Sequence, residues 1–332
     1  MAAVLIGAAC SHALVATGQP SATTGPVVWP APPSAPRARL AAILPDPHAP
    51  RPRRSWWRTV AGWITGQETR ERRADELVRP FGVAAEATGA VVIADPDAGA
   101  VFRIHPGGAR ERLSCPGTEW SAPMGIAVGA PGELFVTDAG LGLVARLADR
   151  GCTLLGRGEL ERPTGVAVAG ERLFVVDPPR HQIVSFALDG SAVSRWGSQG
   201  AGQGQFAFPS SIAAAAGSLV VADALNFRVA RVGTDGGWIS AFGSPGDEGA
   251  GFARPKGIAV GADGRVFVSD AQRDVVLVFS PGGDLEFTIG EAGEGPGQFT
   301  LPSGLAVAAG RLFVADSQNR RIQVFELLGG TP

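Results

Sequence analysis

Short apolar runs separated by glycine-rich turns repeat along the chain from residue 80 onwards. Each unit opens at a proline and places an aspartate about fifteen residues later, at the end of an apolar run. The prolines are Pro80, Pro123, Pro163, Pro209, Pro255 and Pro302, and the aspartates, here named the aspartate ladder, are Asp95, Asp138, Asp177, Asp223, Asp270 and Asp316. Both series advance by 39 to 47 residues and lack helical periodicity. This pattern predicts an all-β fold, a β-propeller with six blades.

Each unit contains four runs that predict four strands, named a to d from the channel outwards. In the fifth unit, residues 257–260 and 265–269 are nearly continuous apolar runs, which is typical of strands covered on both faces. A third run, 275–279, ends at a turn whose Gly282-Gly283 pair suits a tight hairpin. The fourth run, 285–289, alternates between polar and apolar residues and is predicted to be the exposed outer strand.

The sixth unit supplies only three of these runs before the sequence ends. An unpaired edge would remain in that blade, so the fourth strand must come from elsewhere. Residues 37–44 are the only strand-like alternating run before the first blade. We predict that they pair with residues 321–325 and close the ring.

Two sequence motifs, each present in two blades, resemble those of a known class of repeats. They are the strings Gly295–Pro302 and Gly202–Pro209, with Gly, Gln and Phe before the proline, and an Asp-x-x-Asn-x-Arg string at Asp316 and Asp223. Over about residues 79 to 328 the chain resembles the NHL-repeat family of six-bladed β-propellers. The match is strong in blades 4 to 6 and weaker in blades 1 to 3, whose aspartates lack the following Asn and Arg. The resemblance implies a bacterial cell-envelope protein.

Composition and charge argue against a nucleic-acid partner. The 332 residues carry a net charge of −2, and ten arginines are concentrated between Arg37 and Arg79, which leaves the propeller itself acidic. We therefore expect no nucleic-acid partner. We also expect a monomer that binds a protein partner.

The N-terminal region is divided by composition into three parts. Residues 1–10 resemble the end of a lipoprotein signal, with Cys10 as the lipidation candidate, although the charged region of such a signal is missing. Residues 11–36 form a Pro/Ala-rich linker, 37–78 hold the closing strand and a Trp/Arg-rich segment, and 79–332 form the propeller. A lipid on Cys10 would tether the protein on the periplasmic side of the envelope; the alternative is an ordinary unstructured N-terminus.

The Trp/Arg-rich segment predicts a short amphipathic helix. Trp56, Trp57 and Trp63 share one helical face, and arginines flank it. Two interpretations are open, a lid packed on one end of the propeller or a helix lying on anionic lipid.

Cys115 and Cys152 are the two cysteines within the blades. Counting from the strand ends places them toward opposite faces of adjacent blades. A disulfide between them is therefore not expected.

The aspartate ladder invites a metal-site hypothesis, but each aspartate ends strand b and precedes a turn. A carboxylate there caps the next backbone N–H groups, a role required in every blade without any ligand. We interpret these residues as structural turn caps.

A better place for a ligand is the residue that follows each opening proline, at the inner end of strand a. These six positions, here named the mouth ladder, differ from blade to blade: Phe81, Met124, Thr164, Ser210, Lys256 and Ser303. They include no carboxylate or imidazole, and two of the four histidines, His12 and His48, precede the repeats, so we expect no metal, no cofactor and no catalytic residues. The sequence favours a non-catalytic binding or scaffold propeller; the alternative is a channel-centred hydrolase or lyase.

Overall fold

The computed structural model describes residues 26–45, 76–149, 151–191 and 193–329. These residues form twenty-five strands and two 3-10 helices, Pro178–Arg180 and Ala224–Asn226, and contain no α-helix. The strands form six antiparallel sheets, of which five have four strands and one has five. The predicted all-β, six-bladed propeller with four-stranded blades is confirmed.

Blades 1 to 3 are built from consecutive strands in the order a, b, c, d. Blade 1 consists of β3 (Gly82–Ala85), β4 (Val91–Asp95), β5 (Ala100–Ile104) and β6 (Arg110–Leu113). Blade 2 consists of β7 (Pro123–Val128), β8 (Leu134–Asp138), β9 (Leu143–Ala148) and β10 (Gly151–Leu155). Blade 3 consists of β11 (Val166–Ala169), β12 (Arg172–Asp177), β13 (Gln182–Ala187) and β14 (Ser194–Trp196).

Blades 4 and 5 follow the same order, whereas blade 6 also uses strands from the N-terminal region. Blade 4 consists of β15 (Pro209–Ala215), β16 (Ser218–Asp223), β17 (Arg228–Gly233) and β18 (Trp238–Phe242). Blade 5 consists of β19 (Pro255–Val260), β20 (Val266–Asp270), β21 (Val275–Phe279) and β22 (Leu285–Ile289). Blade 6 consists of β23 (Pro302–Ala308), β24 (Arg311–Asp316), β25 (Arg321–Leu327), β2 (Ala38–Leu44) and β1 (Val28–Trp29).

The hydrophobic core lies between neighbouring blades. One cluster joins Phe135 and Val144 of blade 2 to Val175 and Phe186 of blade 3. Strands b and c are buried on both faces because each blade packs against two others, which explains their continuous apolar runs.

The outer edge of blade 6 is provided by residues that precede the first blade in sequence. Strand β2 pairs antiparallel with β25, so that Leu40 lies opposite Phe325 and Leu44 opposite Ile322. Residues 37–44 of the sequence analysis thus correspond to β2. The sequence did not predict β1, which pairs with β2 and places the Trp29 ring 5.3 Å from that of Phe325, edge to face.

The N-terminal segment also contacts blade 5. The Arg37 guanidinium lies 2.6 Å from the Glu286 carboxylate and 4.8 Å from the centre of the Phe287 ring. Because β22 carries both Glu286 and Phe287, the segment links blades 5 and 6.

The expectation of no disulfide is wrong, because Cys115 and Cys152 are bonded, with their Cα atoms 5.3 Å apart. Cys115 lies in the connection that follows β6, and Cys152 lies in the outer strand β10 of blade 2. Counting from strand ends failed because the connection, and not a strand, positions Cys115. The disulfide fastens the link between blades 1 and 2 to the rim of blade 2.

Cys10 and the segment with Trp56, Trp57 and Trp63 lie outside the described residues. Within the described part of the chain, no helix has the length and apolar character needed to cross a membrane.

Candidate functional site

The inner strands approach each other so closely around the channel that several positions require glycine. A Cβ atom on Gly82 would clash with the carbonyl oxygen of Met124, and one on Gly257 with that of Ser303. Each of these glycines directly follows a mouth-ladder residue. The mouth-ladder backbone of one blade therefore lies against the inner strand of the blade before it.

Three mouth-ladder hydroxyls use this proximity to join neighbouring blades. The Thr164 hydroxyl donates to the Ser210 carbonyl oxygen at 2.9 Å, and the Ser210 hydroxyl to that of Lys256 at 2.8 Å. The Ser303 hydroxyl donates to the Phe81 carbonyl oxygen at 3.0 Å, across the junction of blade 6 with blade 1. These side chains satisfy buried backbone acceptors.

Two hydroxyls from strand b have the same role and were not singled out from the sequence. Thr137 donates to the Thr164 carbonyl oxygen and Ser269 to that of Ser303, both at 2.6 Å. Each lies directly before an aspartate of the ladder, and this shared position was the signal that could have revealed them.

The other three mouth-ladder residues, Phe81, Met124 and Lys256, carry no hydroxyl. Lys256 is half-buried, and its Nζ lies 4.7 Å from the centre of the Phe81 ring, in a cation–π contact. Among the described residues no carboxylate forms an ion pair with this ammonium group. Burial, together with repulsion from Arg79 and Arg254, lowers the pKa of Lys256 from 10.5 to about 8.

Lys256 is also the only lysine in the sequence, since all other residues in the Lys and Arg count are arginines. The sequence alone therefore distinguishes Lys256 from the other mouth-ladder residues. Lysine differs from arginine in its compact charge and in the ease with which burial lowers its pKa.

The mouth ladder surrounds a small cavity in the channel. Its volume is about 50 Å³, and it is lined by Phe81, Met124, Thr164, Ser210 and Lys256, together with inner-strand residues from all six blades. Ser303 is fully buried and is not among the residues that line the cavity. Ligand pockets usually have about 300–1,000 Å³, so the cavity is suited to a small group or to the tip of a larger molecule.

Two exposed apolar side chains lie at the end of blade 4 where strand a begins. Phe208, directly before Pro209, is 46% exposed, and Leu225 is 62% exposed. The backbone N–H of Leu225 donates to the Ala207 carbonyl oxygen at 2.9 Å, so both side chains belong to the same end of blade 4.

The aspartate ladder is fully buried in all six blades. Asp138 accepts hydrogen bonds from the backbone N–H groups of Gly140 and Leu141 in the following turn. It also accepts from Ser121 and Ala122, which precede Pro123. Each carboxylate therefore holds the loop that enters its own blade, a contact that the sequence analysis did not foresee.

Two aspartates of the ladder also bind side chains. Asp316 accepts from Asn319 and, at 2.7 Å, from Arg321, and Asp223 accepts from Asn226 and Arg228 in the same way. The Asp-x-x-Asn-x-Arg strings of blades 4 and 6 thus form matching polar networks. Burial raises the pKa of Asp223 in spite of these partners.

The described histidines are engaged in local contacts. Nδ1 of His181 accepts from the Phe208 backbone N–H at 3.0 Å, and His105 lies 3.4 Å from the Glu111 carboxylate. Residues 26–45, 76–149, 151–191 and 193–329 contain no group of three His, Cys, Asp or Glu side chains arranged to hold a metal ion.

A family model described as a 6-bladed beta-propeller, DUF5128, matches residues 255–332. This region covers blades 5 and 6, which is less than half of the chain. No curated protein matches the chain.

Several solved structures share the fold at low sequence identity. A virginiamycin B lyase from Staphylococcus aureus is 16% identical with a TM-score of 0.59, over 77% of this chain and 97% of the lyase. A gluconolactonase from Xanthomonas campestris is 21% identical with a TM-score of 0.60, over 76% of this chain and 87% of the enzyme. A chain of the nidogen/laminin complex is 18% identical with a TM-score of 0.57, over 73% of this chain and 87% of the other. Two enzymes and a member of a protein complex appear together, so these likenesses show the fold alone.

Proposed function

We propose that this propeller is a non-catalytic binding module of the bacterial cell envelope that holds its ligand or partner at the mouth ladder. The observation that carries the proposal is that the mouth-ladder residues have two different roles. Thr164, Ser210 and Ser303 join blades, whereas Lys256 lines a small cavity and its ammonium group has no counter-ion among the described residues. A charged group left available inside a rigid ring is suited to recognition.

One further feature supports a protein partner. Phe208 and Leu225 expose apolar side chains at the same end of blade 4, where a protein partner could cover them. We infer a monomeric propeller with a protein partner and without nucleic acid.

The disulfide supports the proposed location. Bonds such as Cys115–Cys152 persist in oxidising compartments, including the bacterial periplasm. A periplasmic position, with a lipid tether at Cys10, agrees with this chemistry. We also assign the blades to the NHL type, supported by the Asp, Asn and Arg networks of blades 4 and 6.

A second candidate is a channel-centred hydrolase or lyase. The specific observation in its favour is the pKa of Lys256, lowered to about 8, because such an amine is partly neutral near physiological pH and can act as a base or nucleophile. The mouth ladder offers no second ionisable group to orient it. We therefore place this candidate second.

The proposal is tested by affinity capture with the full chain from bacterial envelope extracts, alongside Lys256→Met and Ile239→Ser variants. Ile239 lies in β18, on the outer strand of blade 4, and is 53% exposed. We expect a partner retained by the wild type and by Ile239→Ser and lost with Lys256→Met. A partner retained equally by all three would contradict binding at the mouth ladder.

A further inference from the structure

The charge on Lys256 has no compensating anion within the described protein. Burying an ammonium group without an opposite charge costs free energy, which the cation–π contact with the Phe81 ring offsets only in part. The surroundings favour an anion as the missing partner.

Two arginines increase the positive potential at this position. Arg79 and Arg254 lie directly before Pro80 and Pro255, and their repulsion adds to the effect of burial in lowering the pKa of Lys256. Arg79 has a loose pair with Asp97 at 3.4 Å, and the exposed side chain of Arg254 forms no ion pair with any described residue. Clustered like charges at a concave site attract and concentrate anions.

The cavity limits the size of what can reach Lys256. A volume of about 50 Å³ holds a few water molecules or one small polar group, and the nearby hydroxyls of Thr164 and Ser210 already donate to backbone carbonyls. The recognised unit is therefore a terminal group, with the remainder of its molecule outside the channel.

We propose that Lys256 binds an anionic oxygen group, a carboxylate or a phosphate, at the mouth of the central channel. This inference rests on the proposed function, since it names the chemistry recognised at the mouth ladder. Arg79 and Arg254 guide the anion inwards, and Lys256 forms the charge-assisted hydrogen bond.

The single lysine makes a direct test possible. Reductive methylation of the full chain with ¹³C-formaldehyde labels only the Lys256 amine and the α-amine, and methylated amines keep their charge. Sodium acetate and inorganic phosphate are then titrated separately at constant ionic strength, with sodium chloride as the reference salt. The two arms distinguish a carboxylate ligand from a phosphate ligand.

We expect a saturable shift of the Lys256 signal with acetate or phosphate, an increase in its pKa, and no comparable change in the α-amine signal. Arg254→Gln should weaken the apparent affinity about two- to fivefold, as expected for the loss of one exposed charge interaction. The matched control is Arg162→Gln, since Arg162 occupies the same position before Pro163 in blade 3 and is absent from the causes of the Lys256 shift. A Lys256 signal that responds to neither anion, or to chloride equally, would overturn the inference.

A second measurement does not depend on labelling the half-buried Lys256 amine. Unlabelled wild-type protein should show a rise in melting temperature with the bound anion, and Lys256→Met should not. Equal stabilisation of both proteins overturns the inference. If neither measurement detects an anion while the partner capture still depends on Lys256, the inference fails and the proposed function stands. If an anion binds at Lys256 but no partner capture depends on Lys256, the inference stands and the proposed function fails.

Discussion

The aspartate ladder and the mouth ladder occupy equivalent positions in every blade, yet their chemistry differs. The first repeats one residue six times, fully buried, with each carboxylate bonded to the loop that enters its own blade. The second changes from blade to blade and contains hydroxyls that join blades as well as an ammonium group without a counter-ion among the described residues. A residue that repeats in every blade thus makes a contact that the fold requires, whereas positions that vary between blades are less constrained by the fold.

The largest effect is expected at the aspartate ladder. Asp316→Ala removes the acceptor of the Thr300 N–H and of the Arg321 and Gln323 side chains. Removing one partner of a buried ion pair costs about 3–5 kcal/mol, and Asp316 is fully buried while Arg321 is 14% exposed, so urea unfolding followed by circular dichroism should show a loss of up to that size. The control is Asp97→Ala, an exposed aspartate, with an expected change within about 0.5 kcal/mol. Similar losses in both variants would show that the ladder is not structural.

Replacing Lys256 is expected to increase the stability of the protein. One pKa unit corresponds to about 1.4 kcal/mol, so the decrease from 10.5 to about 8 corresponds to about 3 kcal/mol of destabilisation at neutral pH. Lys256→Met should raise the free energy of unfolding by up to this amount. A variant less stable than the wild type at pH 7 would show that the ammonium group is compensated after all.

The same shift predicts a pH dependence. Between about pH 8 and 10.5 the unfolded chain keeps the Lys256 proton that the folded protein has lost, so stability should rise with pH. The window is favourable because the sequence contains no tyrosine and no other lysine. Urea unfolding at pH 8 and pH 10.5 should show this rise in stability in the wild type and a smaller rise in Lys256→Met. An equal rise in both proteins would contradict the predicted role of Lys256.

A smaller effect is expected at the hydroxyls of the mouth ladder. Thr164→Val keeps the side-chain shape but removes the hydrogen bond to the Ser210 carbonyl oxygen, which should cost about 1–2 kcal/mol. Met124→Leu, in the same ladder and with no side-chain hydrogen bond among the described residues, should change stability by less than about 1.5 kcal/mol. Thermal unfolding of both variants separates a structural hydroxyl from a replaceable side chain, and an unaffected Thr164→Val would remove that distinction.

The repeats made the ring readable from the sequence, because the opening prolines and aspartates recur with the strands they delimit. The alternation of residues 37–44 likewise indicated a strand where the structure has β2. Contacts between distant segments were harder to foresee. Cys115 was misplaced because its position depends on the path of a connection, and β1 was missed because Trp29 packs on Phe325, almost three hundred residues away.

The candidate site was predicted in position but not in role. The six mouth-ladder residues could be located by register, whereas the separation of Thr164, Ser210 and Ser303 from Lys256 depends on distances between blades. Only the uniqueness of Lys256 was present in the sequence itself.

The most direct measurement places a photo-reactive amino acid at position 124, which lines the same cavity as Lys256, in the full chain expressed in a bacterial envelope. The same residue at position 239, on the outer strand of blade 4, serves as the control. Binding at the mouth ladder predicts a discrete cross-linked product from position 124 that disappears when Lys256→Met is added. The same product from position 239, or one that persists without Lys256, would contradict the account.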